Sequence, residues 1–253
     1  MEKPIKLSSI IIARDEENNI ARCISSQLGI IDDIVIIIDA RTIDSTFEIA
    51  KKYPEANVEI AEWNGFSTAK LRALDKTKHE WVFWIDADEE ITESLKKELL
   101  EFKDSNPTFD IYDVPRRAYF LGKWIKHCGW YPARVARLFN KSKISFNQKS
   151  VHEGLTGYNE SGQLKNDLNH YTDPTIDHYI KKMNHYTTLA ANDLVAQGKS
   201  AGINDLIIRP LFIFIKMYIL RLGFLDGFHG LILSLFSAHY VFTKYSKVWE
   251  LKK

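Results

Sequence analysis

The chain has 253 residues, 45% of them hydrophobic, so it can bury one large core and a smaller appendage, and its composition excludes a disordered protein. Its 34 basic and 33 acidic residues give a formal charge of +1, so no global field attracts it to nucleic acid. Two distant cysteines, Cys23 and Cys128, suggest neither a disulfide framework nor a zinc site. The first residues lack the charged and apolar regions of a secretory signal, which predicts a cytoplasmic catalytic part.

Between residues 7 and 113, short apolar runs alternate with amphipathic stretches, a pattern typical of βα units around a mostly parallel sheet. Strands buried on both faces are predicted at residues 7–13, 34–38, 58–61 and 81–85. Helical spacing predicts a helix that begins near Ile20 and stops at Gly29. A capping box at residues 45–48 predicts a second helix, which runs through Tyr53. Leu95, Leu99 and Phe102 mark a third.

Two later changes of composition divide the chain into residues 1–114, 115–202 and 203–253. Residues 115–202 are aromatic and basic, with few helical periods, and we expect them to form the second half of the same domain. Residues 203–249 are rich in Leu, Ile, Phe and Tyr but are interrupted by charges such as Arg209 and Lys216, and their second apolar stretch, at residues 228–242, is predicted to be broken by Gly227 and Gly230. A spanning helix needs roughly 20 apolar residues, so helices lying on a membrane are predicted rather than spans. Packing of this segment on the catalytic domain is the alternative.

The clearest chemical signal is a carboxylate cluster directly after the last of these strands, at Asp86-Ala87-Asp88-Glu89. Ligands of open α/β sheets bind at the carboxyl ends of the strands. Two carboxylates at positions i and i+2 can share one Mg²⁺ or Mn²⁺ ion that also binds diphosphate oxygens. The alternative is an acidic turn that only caps the following helix.

Two other strand ends also carry acids. Asp39 closes the second strand and Asp44 follows in its loop, while Asp15 and Glu16 follow the first strand. A purely structural sheet has no need for acids at three strand ends. The sequence therefore predicts one polar site at this edge.

The residues at these strand ends resemble the family 2 glycosyltransferases, which have a GT-A fold. The motifs that carry this resemblance are residues 9–20, Ile38-Asp39, Asp44-Ser45-Thr46 and Asp86-Ala87-Asp88-Glu89. Later motifs resemble the branch that contains lipopolysaccharide core beta-glucosyltransferases. They are Pro115-Arg116-Arg117, residues 119–122, residues 129–132, Val151-His152-Glu153, residues 209–211, residues 223–227 and Lys244-Tyr245.

The resemblance implies a mixed, mostly parallel GT-A-like sheet flanked by helices, with a helical, membrane-associating C-terminal segment. It implies an inverting, metal-dependent transfer of a hexose to a lipopolysaccharide or lipooligosaccharide core or a similar glycan. Glucose from UDP-glucose is the default donor. Expected partners are a nucleotide sugar, a glycan or glycolipid acceptor and a membrane surface, and no nucleic acid. The expected location is peripheral, on the cytoplasmic face of the inner membrane.

The resemblance also implies a role for individual residues. Glu16 and Asp39 would hold the nucleoside, and Lys70 would approach the diphosphate. Asp86 and Asp88 would form the metal and diphosphate site, Asp86 on the donor side and Asp88 as a metal ligand together with His170. Glu153 would be the catalytic base.

Acceptor binding is assigned to Arg116, Arg117, Trp130 and His152. Arginine suits phosphate groups, so Arg116 and Arg117, with Arg134 and Arg137, could bind a charged acceptor or form a solvated, salt-bridged face. Trp130 could stack on a sugar or pack in the core. His152 could also be a metal ligand or a buried imidazole.

The chain departs from the family at Asp39-Ala40-Arg41-Thr42-Ile43-Asp44, where relatives usually read Asp-Ser-Gly-Ser-Thr-Asp. Without the glycine, this loop should have fewer backbone conformations. Arg41 is assigned to donor binding through a phosphate, with a solvated side chain as the alternative. Leu71 also stands where an Asn is common.

Two other functions are alternatives to sugar transfer. A nucleotidyltransferase would need a glycine-rich phosphate loop after the first strand, where this chain has Ala13-Arg14-Asp15-Glu16. A catalytically silent, membrane-associated scaffold would use only the C-terminal segment.

Overall fold

A computed structural model describes residues 4–147 and 154–253 of the chain. Contacts divide the protein into two compact units, one of Met1–Arg116 with Ala133–His170 and one of Arg117–Pro132 with Tyr171–Lys253. The units are therefore interleaved along the sequence. The functional division at residues 114 and 202 follows composition and stays a prediction.

The strands are numbered in chain order through both units. They are β1 (Leu7–Ala13), β2 (Asp33–Asp39), β3 (Ala56–Ala61), β4 (Trp81–Trp84), β5 (Glu89–Ile91), β6 (Ile111–Val114), β7 (Arg116–Phe120), β8 (Lys123–Trp124), β9 (Val135–Asn140), β10 (Ser145–Phe146), β11 (Leu155–Thr156), β12 (Gly162–Gln163) and β13 (Leu168–Asp173).

The α-helices are α1 (Ile20–Gln27), α2 (Thr46–Ala50), α3 (Phe66–Asp75), α4 (Glu93–Lys103), α5 (Ile176–Ala196), α6 (Arg209–Ile215) and α7 (Gly227–Leu251). Two π-helical turns, Asn204–Ile208 and Lys216–Leu220, flank α6, and a 3-10 turn, Gly223–Asp226, precedes α7.

The first unit is built on a seven-stranded sheet in the order β12-β6-β9-β4-β1-β2-β3. Strands β3, β2, β1 and β4 are parallel, whereas β9 is antiparallel to both β4 and β6. This confirms the predicted mixed, mostly parallel sheet. Because β1, β2 and β4 run the same way, their carboxyl ends meet at one edge, where the predicted site lies.

Helices cover both faces of this sheet because its central strands are apolar on both sides. In β2, Ile34, Ile36 and Ile38 pack with residues of α1, α2 and α4. The alternate residues Val35 and Ile37 pack with the α3 residues Ala73 and Leu74 on the other face. Alternation of side chains along one strand thus supplies two cores.

The predicted strands are confirmed within two residues, and α1 ends as expected before Gly29, whose φ of 79° is left-handed. The predicted capping box at residues 45–48 is wrong. Ser45 makes no side-chain cap, and Asp44 Oδ1 accepts from the Thr46 backbone N–H at 3.0 Å instead. Helix α2 also ends at Ala50 rather than continuing through Tyr53.

In the second unit, α5 and α6 both pack on α7. Its core cluster contains Phe120, Ile125, Cys128 and Leu233. A buried carboxylate ties this core to the 3-10 turn: Asp226 Oδ2 accepts from the His127 backbone N–H at 2.8 Å. The predicted break at Gly230 is wrong, because Gly230 lies inside α7 and allows close contact with the Gly223 backbone. No helix within residues 4–147 and 154–253 is long and apolar enough to cross a membrane.

Candidate active site

Two loops of the first unit interlock at the carboxyl ends of β1 and β2. The Glu16 backbone N–H donates to Thr46 Oγ1 at 2.7 Å, and the Glu17 backbone N–H donates to Asp44 Oδ2 at 2.9 Å. In return, Asp15 Oδ1 accepts from the Ile43 backbone N–H at 2.9 Å. Acids of both loops are therefore fixed relative to each other, and Glu16 lies at the strand end adjacent to that of Asp39.

The Asp39 side chain is fully buried and forms an ion pair with Arg41. Arg41 Nε donates to Asp39 Oδ1 at 3.0 Å, and Arg41 Nη2 donates to Asp39 Oδ2 at 2.6 Å. The hydrogen bonds from Arg41 lower the pKa of Asp39 and raise the pKa of Arg41. The guanidinium also lies 5.5 Å from the ring centroid of Trp63. Both expectations for Arg41, a solvated side chain and a phosphate ligand, leave out its main contact. Arg41 pairs with Asp39, the acid assigned to the nucleoside.

Asp86 is held on both carboxylate oxygens. The indole N–H of Trp84 donates to Asp86 Oδ1 at 3.0 Å, and Arg137 Nη2 donates to Asp86 Oδ2 at 2.5 Å. Desolvation alone would raise the pKa of Asp86, but the charges of Arg137 and Lys70 outweigh it and lower the pKa to about 2. Asp86 is therefore an ionised, oriented carboxylate at neutral pH.

Glu89 supports the same turn from inside the protein. Its fully buried side chain accepts from Arg137 Nη2 at 2.7 Å and from the Asp86 backbone N–H at 2.9 Å. Arg116 Nη1 lies 3.5 Å from Glu89 Oε1. Burial raises the pKa of Glu89, and Arg137 opposes this rise. The buried charged groups of Glu89 and Arg137 therefore fix the position of the turn.

Lys70, at the sheet-facing side of α3, is buried at 4% exposure. Its ammonium lies 3.8 Å from the ring centroid of Trp84 and contributes to the low pKa of Asp86. The predicted diphosphate-binding lysine and the first acid of the turn therefore belong to one cluster.

Asp88, the second acid of the turn, faces His170 on β13. His170 Nε2 lies 3.1 Å from Asp88 Oδ2, because β13 pairs with β5 in a register that sets His170 opposite Glu89. No group of three or more His, Cys, Asp or Glu within the described ranges has the arrangement of a complete metal site. A carboxylate and an imidazole still suit Mg²⁺ or Mn²⁺, since such ions keep several positions for diphosphate oxygens and water. These two residues therefore fit a metal ion whose remaining coordination positions are filled by the substrate.

Glu16 experiences the combined charge of this edge. Burial, together with the charges of Asp88, Asp44 and Asp86, raises its pKa to about 7, although Asn19 donates to Glu16 Oε2 at 2.8 Å. The site thus holds acids in excess around Glu16, which favours the approach of a cation.

Other assigned residues belong to the second unit or lie outside the described ranges. The catalytic candidate Glu153 and its neighbour His152 lie outside the residues that the structure describes. In the second unit, Trp130 packs against the core cluster with its ring 6.2 Å from that of Phe120, as core packing would require. Arg117 lies 4.7 Å from the ring centroid of Trp124.

The expected arginine group is divided among different partners. Arg116 and Arg137 interact with the buried Glu89 carboxylate, and Arg137 also interacts with Asp86, whose side chain is partly exposed. Arg134 Nη1 donates to the Leu164 carbonyl at 2.9 Å. Sequence reasoning missed Arg137 as a partner of Asp86, because only the antiparallel β4–β9 register brings it beside the turn. Trp84 could have been found, since residues i and i+2 of a strand share a face.

Comparisons with known proteins show the family of this chain. A sequence profile described as glycosyl transferase family 2 matches residues 8–161. The lipopolysaccharide core biosynthesis glycosyltransferase LpsC of Rhizobium meliloti is 28% identical over 252 residues, covering 97% of this chain and 93% of LpsC. The uncharacterized glycosyltransferase RT0209 of Rickettsia typhi is 31% identical over 263 residues, covering 97% of this chain and 87% of its own length.

A solved structure shows the same fold. The mannosyltransferase PcManGT of Pyrobaculum calidifontis, in complex with GDP-Man and Mn²⁺, aligns with a TM-score of 0.58 over 100% of this chain and 89% of its own. At 12% identity this likeness concerns the fold alone, and it confirms the expected GT-A-like architecture. The profile match covers more than half of the sequence, and the chain belongs to glycosyltransferase family 2.

Proposed function

We propose that this protein is an inverting, metal-dependent hexosyltransferase that uses a nucleotide sugar, by default UDP-glucose, and acts on a lipopolysaccharide or lipooligosaccharide core or a similar glycan. The observation that carries the proposal is the turn after β4, where Asp86 is locked by Trp84 and Arg137 while Asp88 faces His170. The relative LpsC, named for lipopolysaccharide core biosynthesis, supports this class of acceptor.

The donor would lie along the carboxyl ends of β1, β2 and β4. Asp39 and Glu16, on adjacent strand ends, would bind the nucleoside, and Lys70 would approach the phosphates. Arg41, which pairs with Asp39, would cover the nucleoside site until the donor displaces it. The buried ammonium of Lys70 beside Asp86 supports this arrangement, since a fixed cation near a departing diphosphate stabilises the charge that develops there. PcManGT was solved with a nucleotide sugar in the same type of fold, which is consistent with the proposal.

Asp88 and His170 would hold a divalent metal ion. When bound, such an ion supplies Lewis-acid neutralisation of the leaving diphosphate. Asp86 has both oxygens engaged by Trp84 and Arg137, so we assign it mainly to orienting the donor side of the turn. PcManGT was solved with Mn²⁺, and the carboxylate and imidazole groups suit Mn²⁺ or Mg²⁺.

Glu153 would act as the general base, as the resemblance implies. It would take the proton from the acceptor hydroxyl while that oxygen attacks the anomeric carbon in one displacement. Arg116, Arg117, Trp130 and His152 stay the proposed acceptor-binding residues. The pairing of Arg116 with Glu89 leaves part of its guanidinium for an acceptor phosphate, since arginine has five N–H donors.

A thermal-shift panel of nucleotide sugars, with and without Mn²⁺, tests the donor assignment. A donor that binds only the native state must raise the melting temperature. We expect UDP-glucose with Mn²⁺ to raise it and to be turned over slowly. A chain that binds and hydrolyses no nucleotide sugar would instead support the silent scaffold, and binding of a nucleoside triphosphate alone would favour a nucleotidyltransferase.

Residues 203–249 would attach the protein to the cytoplasmic face of the inner membrane, mainly through the exposed apolar side chains of residues 207–228. Exposed apolar side chains of this segment lie on the π-helical turns, on α6, at the link before the 3-10 turn, on that turn and at the start of α7, and they are Ile207, Ile208, Leu211, Phe212, Ile215, Ile219, Leu220, Leu222, Phe224, Leu225 and Phe228. Exposed apolar groups of this density are rare on soluble monomers and mark interaction surfaces.

The charges of this segment favour an anionic bilayer as the partner. Arg209, Lys216 and Arg221 are exposed, whereas Asp226 is the single acid between residues 206 and 249 and is buried. Apolar burial combined with attraction to anionic lipid attaches a peripheral helix. The alternative, packing on the catalytic domain, is disfavoured for side chains such as Phe228, which is 80% exposed.

Flotation with anionic liposomes tests this surface. The double variant Leu225→Gln with Phe228→Gln should float less than wild type, and high salt should weaken flotation of both. Leu100→Gln, a change at an exposed position of α4, is the matched control and should float normally. Equal flotation of the double variant and the control would refute this membrane surface.

A further inference from the structure

One aromatic residue of the turn contacts three charged groups at once. The Trp84 ring centroid lies 3.8 Å from Lys70 Nζ and 4.2 Å from Arg137 Cζ, while its indole N–H donates to Asp86 Oδ1 at 3.0 Å. Both cations are nearly inaccessible, at 4% exposure for Lys70 and 2% for Arg137. Trp84 therefore joins the groups assigned to the donor into one cluster.

Burial makes the orientation of these groups depend on Trp84. A buried ammonium loses its hydration, and the face of an indole ring is the strongest aromatic partner for a cation. The indole N–H is a donor only, so its hydrogen bond to Asp86 Oδ1 also fixes which oxygen of that carboxylate remains on the other side, toward Arg137. Removing the ring would take away the Trp84 contact of the ammonium and one of the two side-chain hydrogen bonds of the carboxylate.

A purely structural explanation of this cluster is weak. Well-packed apolar residues are often as stable as a buried ion pair, or more stable. The sequence nevertheless retains Lys70, Arg137, Asp86 and Glu89 at the carboxyl end of β4, where ligands of α/β sheets bind. Charged groups at this location are better explained by ligand binding, which requires charges in fixed positions.

We propose that Trp84 is a positioning residue of the donor site, which holds Lys70 through its ring face and Asp86 through its N–H. The positive charge of Arg137 neutralises the carboxylates of Asp86 and Glu89. The inference rests on the proposed function, because it assigns these groups to a nucleoside diphosphate. It predicts that Trp84 acts on donor affinity through Lys70 rather than by touching the donor.

Two substitutions separate the two contacts of Trp84. Trp84→Phe keeps an aromatic face near Lys70 but removes the N–H to Asp86, whereas Trp84→Leu removes both. The matched control is Trp81→Phe on the same strand, whose ring packs edge-on against Phe102 at 4.9 Å and takes no part in the cluster. All variants are purified as full chains and melted, so that loss of folding is recognised separately.

Calorimetric titration with UDP and with GDP, each in Mn²⁺, gives the readout. We expect binding of the preferred nucleotide to weaken roughly threefold in Trp84→Phe and about tenfold or more in Trp84→Leu, with Trp81→Phe unchanged. The double variant of Trp84→Leu with Lys70→Met should bind about threefold more weakly than Lys70→Met alone, the loss expected of Trp84→Phe, because the contact with the Lys70 ammonium is already absent. If Trp84 had only a structural role, its substitution would lower the melting temperature, and its effect on nucleotide affinity would add to that of Lys70→Met.

Equal affinities of Trp84→Leu and Trp81→Phe would overturn the proposal, as would fully additive losses with Lys70→Met. Failure of wild type to bind either nucleotide would instead reject the proposed function on which it rests. The two failures are therefore distinguishable in one series.

Discussion

The Arg41 guanidinium forms a two-pronged ion pair with the buried Asp39 carboxylate, through contacts of 3.0 and 2.6 Å. Arg41 therefore covers the acid that the resemblance assigns to the nucleoside. A nucleoside that binds Asp39 must therefore compete with Arg41 or displace it.

Removing Arg41 should tighten nucleotide binding. Because the nucleoside would no longer have to break an ion pair whose arginine is solvent-screened, Arg41→Ala should lower the Kd for UDP or GDP by about two- to fivefold, measured by calorimetry. Arg41→Lys, which keeps the charge but not the paired geometry, should lie between wild type and Arg41→Ala. Weaker binding by Arg41→Ala would contradict this account and assign Arg41 to a donor phosphate.

Glu16 should make stability depend on pH. Its folded pKa of about 7 exceeds its value of 4.5 in an unfolded chain, so the folded state binds more protons between these values and loses stability as pH rises through them. Glu16→Gln should therefore melt at a higher temperature than wild type at pH 8, and at nearly the same temperature at pH 4.5. Thermal melts at both pH values check this, and a gain that is equal at both would remove Glu16 as the titrating group.

Much of this fold was predictable, because it depends on local patterns. The central strands are short apolar runs, and Ile20, Cys23 and Ile24 are buried at helical spacing. The capping box failed because the Ser45 N–H, from which the Glu48 side chain would accept in such a box, donates to Glu17 Oε2 of the neighbouring loop, and no short-range rule predicts this. The pairing of Arg137 with Asp86 spans 51 positions and depends on strand register, so composition alone suggested a surface arginine.

Gly230 was misread for a similar reason. Glycine within an apolar stretch suggested a break, but a Cβ at this position would lie 1.9 Å from the Gly223 carbonyl oxygen. Glycine is therefore required by packing inside α7. Helix propensity could not reveal a contact between two separated segments.

Substituting Gly230 should destabilise the second unit. Gly230→Ala should cost about 1–3 kcal/mol, because overpacking must displace backbone rather than a flexible side chain. For a chain of this size we expect the melting temperature to fall by about 2–4 °C per kcal/mol. His229→Ala, one position earlier in α7, is the control. A melting temperature equal to that of the control would disprove the close contact.

Glu153 lies outside the described residues, so its assignment depends on kinetics. Glu153→Gln keeps the shape and hydrogen-bonding capacity but cannot accept a proton, so kcat should fall by roughly 10²-fold or more while donor Kd is retained. The measurement is steady-state transfer combined with calorimetric donor binding. Near-normal kcat would move the base to another acid.

The central claim, a metal-dependent sugar transferase at the Asp86–Asp88 turn, is tested most directly by nucleotide release. Release is measured with Mn²⁺ for wild type and Asp88→Ala, from a panel of nucleotide sugars that begins with UDP-glucose. The exposed change Asp104→Ala serves as the control for a lost carboxylate. We predict Mn²⁺-dependent release by wild type and the control, and a loss of at least about 10²-fold in Asp88→Ala with an unchanged melting temperature. Undiminished release by Asp88→Ala, or full release by wild type in a chelator, would contradict a metal-dependent transferase at this turn.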